Sequence, residues 1–413
     1  QPLTNPDVLR AAVKEKGANL GRGLRFMVGD MVRGAGSRGI AENENYKVGE
    51  NIAVTPGKVV FQNSLIELIQ YTPVTEKVGA EPVLITPAWI MKYYILDLSP
   101  HNSLVKYLTE QGKTVFIVSW KNPGQEDKNV SFEDYVELGL MEAINTVSKI
   151  CPQQKIHAVG YCIGGSLLSI AAAGMAREDD ERLATISLFA AQTDFSEAGE
   201  ISRFISPSQL SFLEKLMWKR GYLGSENMGG AFSALRSSDL IYAGMVDRYL
   251  MGKQATPNDL MSWNADGTRM PYRMHIEYLE QLYLHNQLAT NRFKLGGRTI
   301  SLADIRVPMF VLGTETDHVA PWQSVYKIVP LTQTELTFTL TSGGHNAGVV
   351  SGPKHPRRRF RSHTRQVGDK YIDPDTWLEE MEINPGSWWP HWNNWLEQHT
   401  SKQQSPPSMG APR

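Results

Sequence analysis

Cysteine is almost absent from this chain: its 413 residues hold two, Cys151 and Cys162, too few for a disulfide scaffold. A reducing, cytoplasmic setting is the natural expectation. An excess of charge of either sign is missing as well, because 42 Lys and Arg against 43 Asp and Glu leave a formal net charge of -1. That balance excludes a general electrostatic attraction to nucleic acid or to an anionic membrane. No apolar run approaches the roughly 20 residues needed to span a bilayer, and no charged-then-apolar leader opens the chain. The ten histidines are scattered and no cysteine pair is suitably placed, so no metal and no prosthetic group is expected. The chain begins at Gln1 rather than Met, as a trimmed product would. What is present is 41% hydrophobic content, enough for a large core of one elaborated domain or two coupled ones.

The most informative segment is Ile156 to Ser169, IHAVGYCIGGSLLS, where a short apolar run ends in Gly160-Tyr161-Cys162-Ile163-Gly164 and continues as a small-residue helix. This is the pattern of a nucleophile elbow with sulfur in place of oxygen. Such a turn holds its central residue in a strained conformation and leaves no room for neighbouring side chains, which Gly160 and Gly164 provide. A thiol there sits at a helix N-terminus, where the dipole and free N–H groups favour the thiolate. Cys162 is therefore the candidate nucleophile; by itself the pattern also fits a buried cysteine acting as a small hydrophobe.

Two downstream sites decide between these readings. In an α/β-hydrolase the acid and the histidine follow the nucleophile, in that order, on loops after late strands. Here the apolar run Met309 to Gly313 leads into Thr314-Glu315-Thr316-Asp317-His318, and the run Leu336 to Leu340 leads into Ser342-Gly343-Gly344-His345-Asn346. Asp317 and His345 thus fall at the expected strand ends. A lone Asp or His there is usually a cap or a solvated turn residue, but the coincidence of all three in order favours a catalytic set. His318 reads as a turn residue with local hydrogen bonding.

Strand patterns at Val59 to Phe61, Leu65 to Tyr71, Val83 to Thr86, Thr114 to Ser119, Ile156 to Val159, Ile186 to Phe189, Met309 to Gly313 and Leu336 to Leu340 are separated in several places by helical patterns such as Ser131 to Ile150. This alternation predicts an α/β-hydrolase fold: a mostly parallel, doubly wound sheet whose first two strands form an antiparallel edge. A helical stretch from Asn5 to Arg33 is expected to pack on the core, and Gly34 to Asn45 reads as loop. The interval 194–304 breaks the alternation and is rich in aromatics, among them Phe204, Phe232, Tyr242, Tyr278 and Tyr283, so it reads as a helical cap over the strand ends with those rings as its own core. The predicted layout is 1–75 N-terminal helical segment and edge strands, 76–193 first part of the core, 194–304 cap, 305–400 second part of the core, and 401–413 a disordered tail rich in Pro, Ser and Gln.

Over nearly its whole length the chain resembles the catalytic part of the polyhydroxyalkanoate synthases, class I type. The resemblance runs through YKVGENIAVTPGKVVFQNSLIELIQYTP (Tyr46 to Pro73), KYYILDLSPHNSLV (Lys92 to Val105), GYCIGGS (Gly160 to Ser166), SSDLIYAGMVDRYLMG (Ser237 to Gly252), TDHVAPW (Thr316 to Trp322), GGHNAGV (Gly343 to Val349) and GSWWPHW (Gly386 to Trp392). It implies an acyltransferase that polymerises (R)-3-hydroxyacyl-CoA, with 3-hydroxybutyryl-CoA the expected monomer, and releases CoA. It further implies Cys162 as the acylated nucleophile, His345 as general base and Asp317 as its carboxylate partner. No cofactor is implied, since CoA is part of the substrate. A homodimer, contact with the growing polyester and with a polyester granule surface, and a cytoplasmic, granule-associated location follow from the same resemblance. The family's full-length members carry an additional N-terminal region. A cysteine-dependent thioesterase would use the same residues and release the acyl group to water.

The tetrahedral intermediate also needs an oxyanion hole. Fold logic assigns one donor to the backbone N–H of Ile163 and the second to the loop after Val83 to Thr86, near Trp89 or Ile90. Trp89, where the family more usually has a smaller residue, leaves the pocket shape open, and Thr316 stands where Glu is more usual. The basic run Lys354 to Arg361 reads as a solvated loop, with CoA phosphates as the alternative partner. Trp388, Trp389, Trp392 and Trp395 have the spacing of a helix packed on the core.

Overall fold

The computed structural model describes residues 5–33, 46–225, 245–253 and 258–410. The chain divides into two compact units, one formed by Gln1–Ile52 with Gly224–Gly267 and the other by Ala53–Leu223 with Thr268–Arg413.

The larger unit is built on a ten-stranded sheet. Its strands are β1 (Gly57–Gln62), β2 (Ile66–Tyr71), β3 (Val83–Thr86), β4 (Val115–Trp120), β5 (Ile156–Tyr161), β6 (Leu183–Phe189), β7 (Met309–Thr314), β8 (Leu336–Thr341), β9 (Arg359–Arg365) and β10 (Asn384–Pro385). Their spatial order is β1-β2-β4-β3-β5-β6-β7-β8-β9-β10. The strands from β4 to β8 in that order are parallel, and antiparallel strands extend both edges. This is the predicted α/β-hydrolase arrangement, including the early antiparallel edge.

The sequence explains the layering. Every residue of β3, β5, β7 and β8 is buried, as in parallel strands covered on both faces; β3 and β7 are mostly apolar, while β8 alternates large apolar residues with Thr. β1 leaves every one of its residues at least partly exposed and carries polar ends, the composition of an edge. Helix Ile163–Arg177, rich in Ala, Leu and Ile, is buried on nearly all sides. The predicted helix after Ser131 runs to Ile150 and passes through a π-helical stretch at Tyr135–Met141; Ser131 caps it by accepting from the Asp134 amide at 3.1 Å.

Three features depart from the sequence reading. β9, RFRSHTR, was hidden because Phe360 is its one strongly apolar residue. It joins the sheet through backbone pairing to β8 and hydroxyl pairs, Thr337 with Thr364 and Thr339 with Ser362, each at 2.8 Å. The tail expected to be disordered is placed as far as residue 410: Gln403–Gln404 pairs with Val78–Gly79, and the buried Gln70 side chain donates to the Ser408 carbonyl at 2.9 Å and accepts from the Gly410 amide at 2.8 Å. Backbone pairing, which a composition without apolar side chains does not reveal, anchors it. The cap interval is also divided: its flanks, including helices Pro207–Arg220 and Tyr272–Tyr278, belong to the larger unit, while 224–267 groups with the N-terminal residues.

In the smaller unit, helices Pro6–Lys14 and Ala18–Arg33 lie within the stretch read as helical, and the second packs on Val246–Leu250. Asp30 accepts from Arg248 Nε at 2.7 Å, and Asn19 donates to the Leu250 carbonyl at 2.8 Å. The predicted loop 34–45, residues 237–244 of one quoted segment, and Phe232 and Tyr242 lie outside the described residues.

Candidate active site

The parallel register brings several strand ends level: Thr86 pairs with Gly160, Tyr161 with Phe189, and Thr314 with Thr341. Residues just beyond the carboxyl ends of β3, β5, β7 and β8 therefore emerge along one edge of the sheet, where open α/β sheets place their chemistry. Those residues are Trp89 and Ile90, Cys162 and Ile163, Asp317, and His345.

Cys162 occupies a turn with φ 55° and ψ -128°, a conformation rarely adopted by a residue with a side chain, and it caps the helix Ile163–Arg177. The glycines expected around it are required by contact. A Cβ on Gly160 would run into the Gly165 backbone, and one on Gly164 would run into the carbonyl oxygens of Thr86 and Pro87. The elbow is thus pressed against the loop that follows β3.

Asp317 sits in a turn that the chain itself organises. Its Oδ1 accepts from the amides of Val319 at 2.8 Å and Ala320 at 2.9 Å, and its Oδ2 accepts from Thr314 Oγ1 at 3.0 Å and from His345 Nδ1 at 2.7 Å. Because a carboxylate only accepts, Nδ1 carries the proton, and the other ring nitrogen is left for a further partner. The Cys162 side chain lies near enough to the imidazole to act on it electrostatically. Burial alone would push the imidazole pKa down, but the Asp317 and Cys162 charges and hydrogen bonds outweigh it and hold the value well above the ordinary range. Burial would likewise raise Asp317, yet the His345 charge and the amide donors keep its carboxyl below the usual carboxylate range. The three residues singled out by spacing are brought together, in a site where Cys162 is 8% and Asp317 is 9% exposed.

The loop after β3 is held from two sides. Trp120 Nε1 donates to the Pro87 carbonyl at 2.9 Å, while Thr268 donates through its hydroxyl to the Trp89 carbonyl at 2.6 Å and through its amide to the Ile90 carbonyl at 3.4 Å. In a trans peptide the N–H points opposite to the carbonyl, so the Ile90 amide faces away from Thr268. The Ile163 amide lies in the first helical turn, where an N–H has no carbonyl of its own helix to bond. The Trp89 side chain is buried among Trp120, Phe132, Tyr135 and Tyr278, with ring centroids 5.1 to 6.0 Å away, so its bulk packs within an aromatic cluster.

Residues that the sequence reading missed brace this arrangement. The basic run is a solvated loop only in part: Lys354 and Arg357 are exposed, but Arg358 turns inward and donates to the carbonyls of Ser342 at 3.0 Å and Ala347 at 2.6 Å, and also to Ser351 Oγ. Arg359 and Arg361 both bond Glu315, at 3.0 and 3.3 Å, two residues before Asp317. The tryptophan cluster forms the expected packed helix, Trp388–Gln398, and two of its indoles donate to the carbonyls of Gly348 and Val349, at 3.0 and 2.9 Å, closing the far end of the histidine loop. Composition marks charge and aromaticity, but it does not reveal which acceptor a side chain turns toward.

Among the described residues, no group of three or more His, Cys, Asp or Glu is arranged to hold a metal ion. No described helix is long and apolar enough to cross a membrane.

A family defined as the alpha/beta hydrolase fold matches residues 81–350, which agrees with the sheet. Residues 2–108 match the family described as the poly-beta-hydroxybutyrate polymerase (PhaC) N-terminus. The chain is 38% identical over 411 residues to the poly(3-hydroxyalkanoate) polymerase subunit PhaC of Rhizobium meliloti, covering 99% of this chain and 67% of the relative. It is 39% identical to that of Rhizobium etli, covering 97% and 63%, and 36% identical to that of Cupriavidus necator, covering 99% and 70%. The chain belongs to the poly(3-hydroxyalkanoate) polymerase family, and spans roughly two thirds of the length of these relatives.

Proposed function

We propose that this chain polymerises (R)-3-hydroxyacyl-CoA, 3-hydroxybutyryl-CoA foremost, through a covalent thioester on Cys162. The observation that carries the reading is Cys162 in the strained elbow with His345 beside it and Asp317 on the far imidazole nitrogen, in a chain of this family. His345 takes the thiol proton, the Cys162 sulfur attacks the thioester carbonyl, and the carbon–sulfur bond to CoA breaks as CoA leaves. Asp317 holds the imidazole in the required tautomer and stabilises the imidazolium. The Ile163 amide, with one from the Trp89 and Ile90 segment, receives the developing oxyanion. For elongation the 3-hydroxyl of one acyl unit loses its proton to His345 and attacks the carbonyl of another thioester, forming the ester bond and freeing a sulfur.

The burial of the site supports acyl transfer over hydrolysis, because an acyl-enzyme shielded from water survives until the hydroxyl arrives. No resident cofactor is needed for these steps. A homodimer and attachment to a polyester granule belong to the same reading; a monomer by gel filtration, with and without substrate, would overturn the dimer.

The test is purified protein with (R)-3-hydroxybutyryl-CoA, free CoA followed with a thiol reagent and the acyl product identified, beside Cys162→Ala. Polyester with CoA release, both lost in the variant, is the expected result. Release of free 3-hydroxybutyrate alone would establish a thioesterase instead.

A further inference from the structure

The residues flanking the proposed reacting pair are joined to each other. Tyr161 immediately precedes Cys162, and Asn346 immediately follows His345. The Tyr161 hydroxyl donates to Asn346 Oδ1 at 2.5 Å, and the Tyr161 ring stacks on the His345 imidazole with centroids 5.7 Å apart and planes 29° apart. Tyr161 is 2% exposed, so its hydroxyl has no bulk water to turn to if Asn346 is removed.

We propose that Tyr161 is a positioning residue for His345, acting through its hydroxyl bond to Asn346. The Asp317 bond fixes one edge of the imidazole, but contacts in the plane of a ring leave it free to tilt about them. The tyrosine ring closes one face. The phenol is in turn tied to the loop that carries the histidine, so the end of β5 and the loop after β8 are pinned together at the point where sulfur and imidazole must meet. Phenylalanine at position 161 would keep the stacking surface and lose the tie. The inference rests on Cys162 and His345 being the reacting pair, whichever acceptor the acyl group finally reaches.

The experiment compares wild type, Tyr161→Phe, Asn346→Leu and the double variant. Asn346 is only half-buried and offers a second route to the same bond if Tyr161→Phe folds poorly. Three quantities are measured: the rate of Cys162 alkylation by iodoacetamide from pH 5 to 9, kcat and KM for CoA release, and Tm. Each single variant is expected to lose alkylation rate across that pH range and to lower kcat roughly 10- to 100-fold with KM within about twofold. The double variant is expected to be no worse than the worse single one, since both remove one bond. Single variants with wild-type alkylation profiles, or effects that multiply in the double variant, would overturn the proposal, even where Tm falls. Alkylation needs no acyl substrate, so its outcome stands apart from whether polyester is made.

Discussion

The Arg358 guanidinium donates to the backbone carbonyl of Ala347 at 2.6 Å, two residues past His345, and so holds the histidine loop from behind. The same group reaches Ser342 on the other side of the histidine and Ser351 beyond it. Gly343 turns the chain between these anchors with φ 112°, which a residue with a side chain rarely adopts. Arg358→Lys can satisfy one of the three acceptors but not the fork. It is expected to lower stability by about 1–3 kcal/mol, the penalty for leaving buried acceptors unpaired. CoA release should fall about tenfold as well, from a histidine held less firmly. Thermal unfolding and initial rates check this; an unchanged rate with a lowered Tm would confine Arg358 to stability.

The Asp317 and His345 pair makes stability depend on pH in a defined window. The Asp317 carboxyl is held below its ordinary value of about 3.9, so its contribution is present above that pH and is lost as pH falls through the folded value. The His345 imidazole is held above its ordinary value of about 6.5, so its contribution is complete below that pH and is lost as pH rises through the folded value. Both overlap between about pH 4 and 6.5. The Tm difference between wild type and Asp317→Asn should be largest there and shrink on either side. A difference that grows steadily above pH 7 would contradict the pairing.

These two sites also show what was legible in the sequence. Cys162, Asp317 and His345 could be found because each follows a short apolar run, and such runs become parallel strands whose ends lie level; the order along the chain then places the three together. β9 and the anchored end of the tail could not be found that way, since RFRSHTR and QSPPSMG join the fold through backbone pairing and side-chain polar bonds rather than apolar burial. Arg358 was misread for a related reason. A run of basic residues has the same composition whether it faces solvent or carbonyl oxygens, and only the third dimension distinguishes them. The Trp388 to Trp395 stripe was readable as a packed helix, while its indole bonds to Gly348 and Val349 were not.

Gly164 tests how tightly the elbow must meet the loop after β3. A methyl group there would collide with the carbonyl oxygens of Thr86 and Pro87, which are backbone atoms of a buried strand end and cannot swing aside. Gly164→Ala is expected to destabilise the protein by about 3 kcal/mol or more, in the range of overpacked cores, and to abolish CoA release in whatever fraction folds. Gly296→Ala, where a Cβ meets nothing within 4 Å but φ is 61°, isolates backbone strain without collision and should cost only about 1 kcal/mol. Chemical denaturation of the two variants separates these effects; equal losses would mean that the contact with Thr86 and Pro87 is loose.

Thr268 addresses the proposed oxyanion donors without touching the reacting residues. Its hydroxyl and amide hold the carbonyls of Trp89 and Ile90, and the orientation of the Trp89 carbonyl sets the direction of the Ile90 N–H in the same peptide plane. Thr268→Val has nearly the same shape and lacks the donor, so the Trp89 carbonyl loses its 2.6 Å bond and the peptide is free to rotate. Removing an oxyanion donor outright lowers kcat by about 100- to 1000-fold, and misdirecting one should be milder, roughly 10-fold, with KM little changed because the thioester binds as before. Thr268→Ser keeps the hydroxyl and is expected to retain most of the wild-type rate. Steady-state CoA release for the three proteins decides the matter: a slow Val variant with a near-normal Ser variant places the donor in the loop after β3, whereas equal rates in all three would move the second oxyanion donor elsewhere.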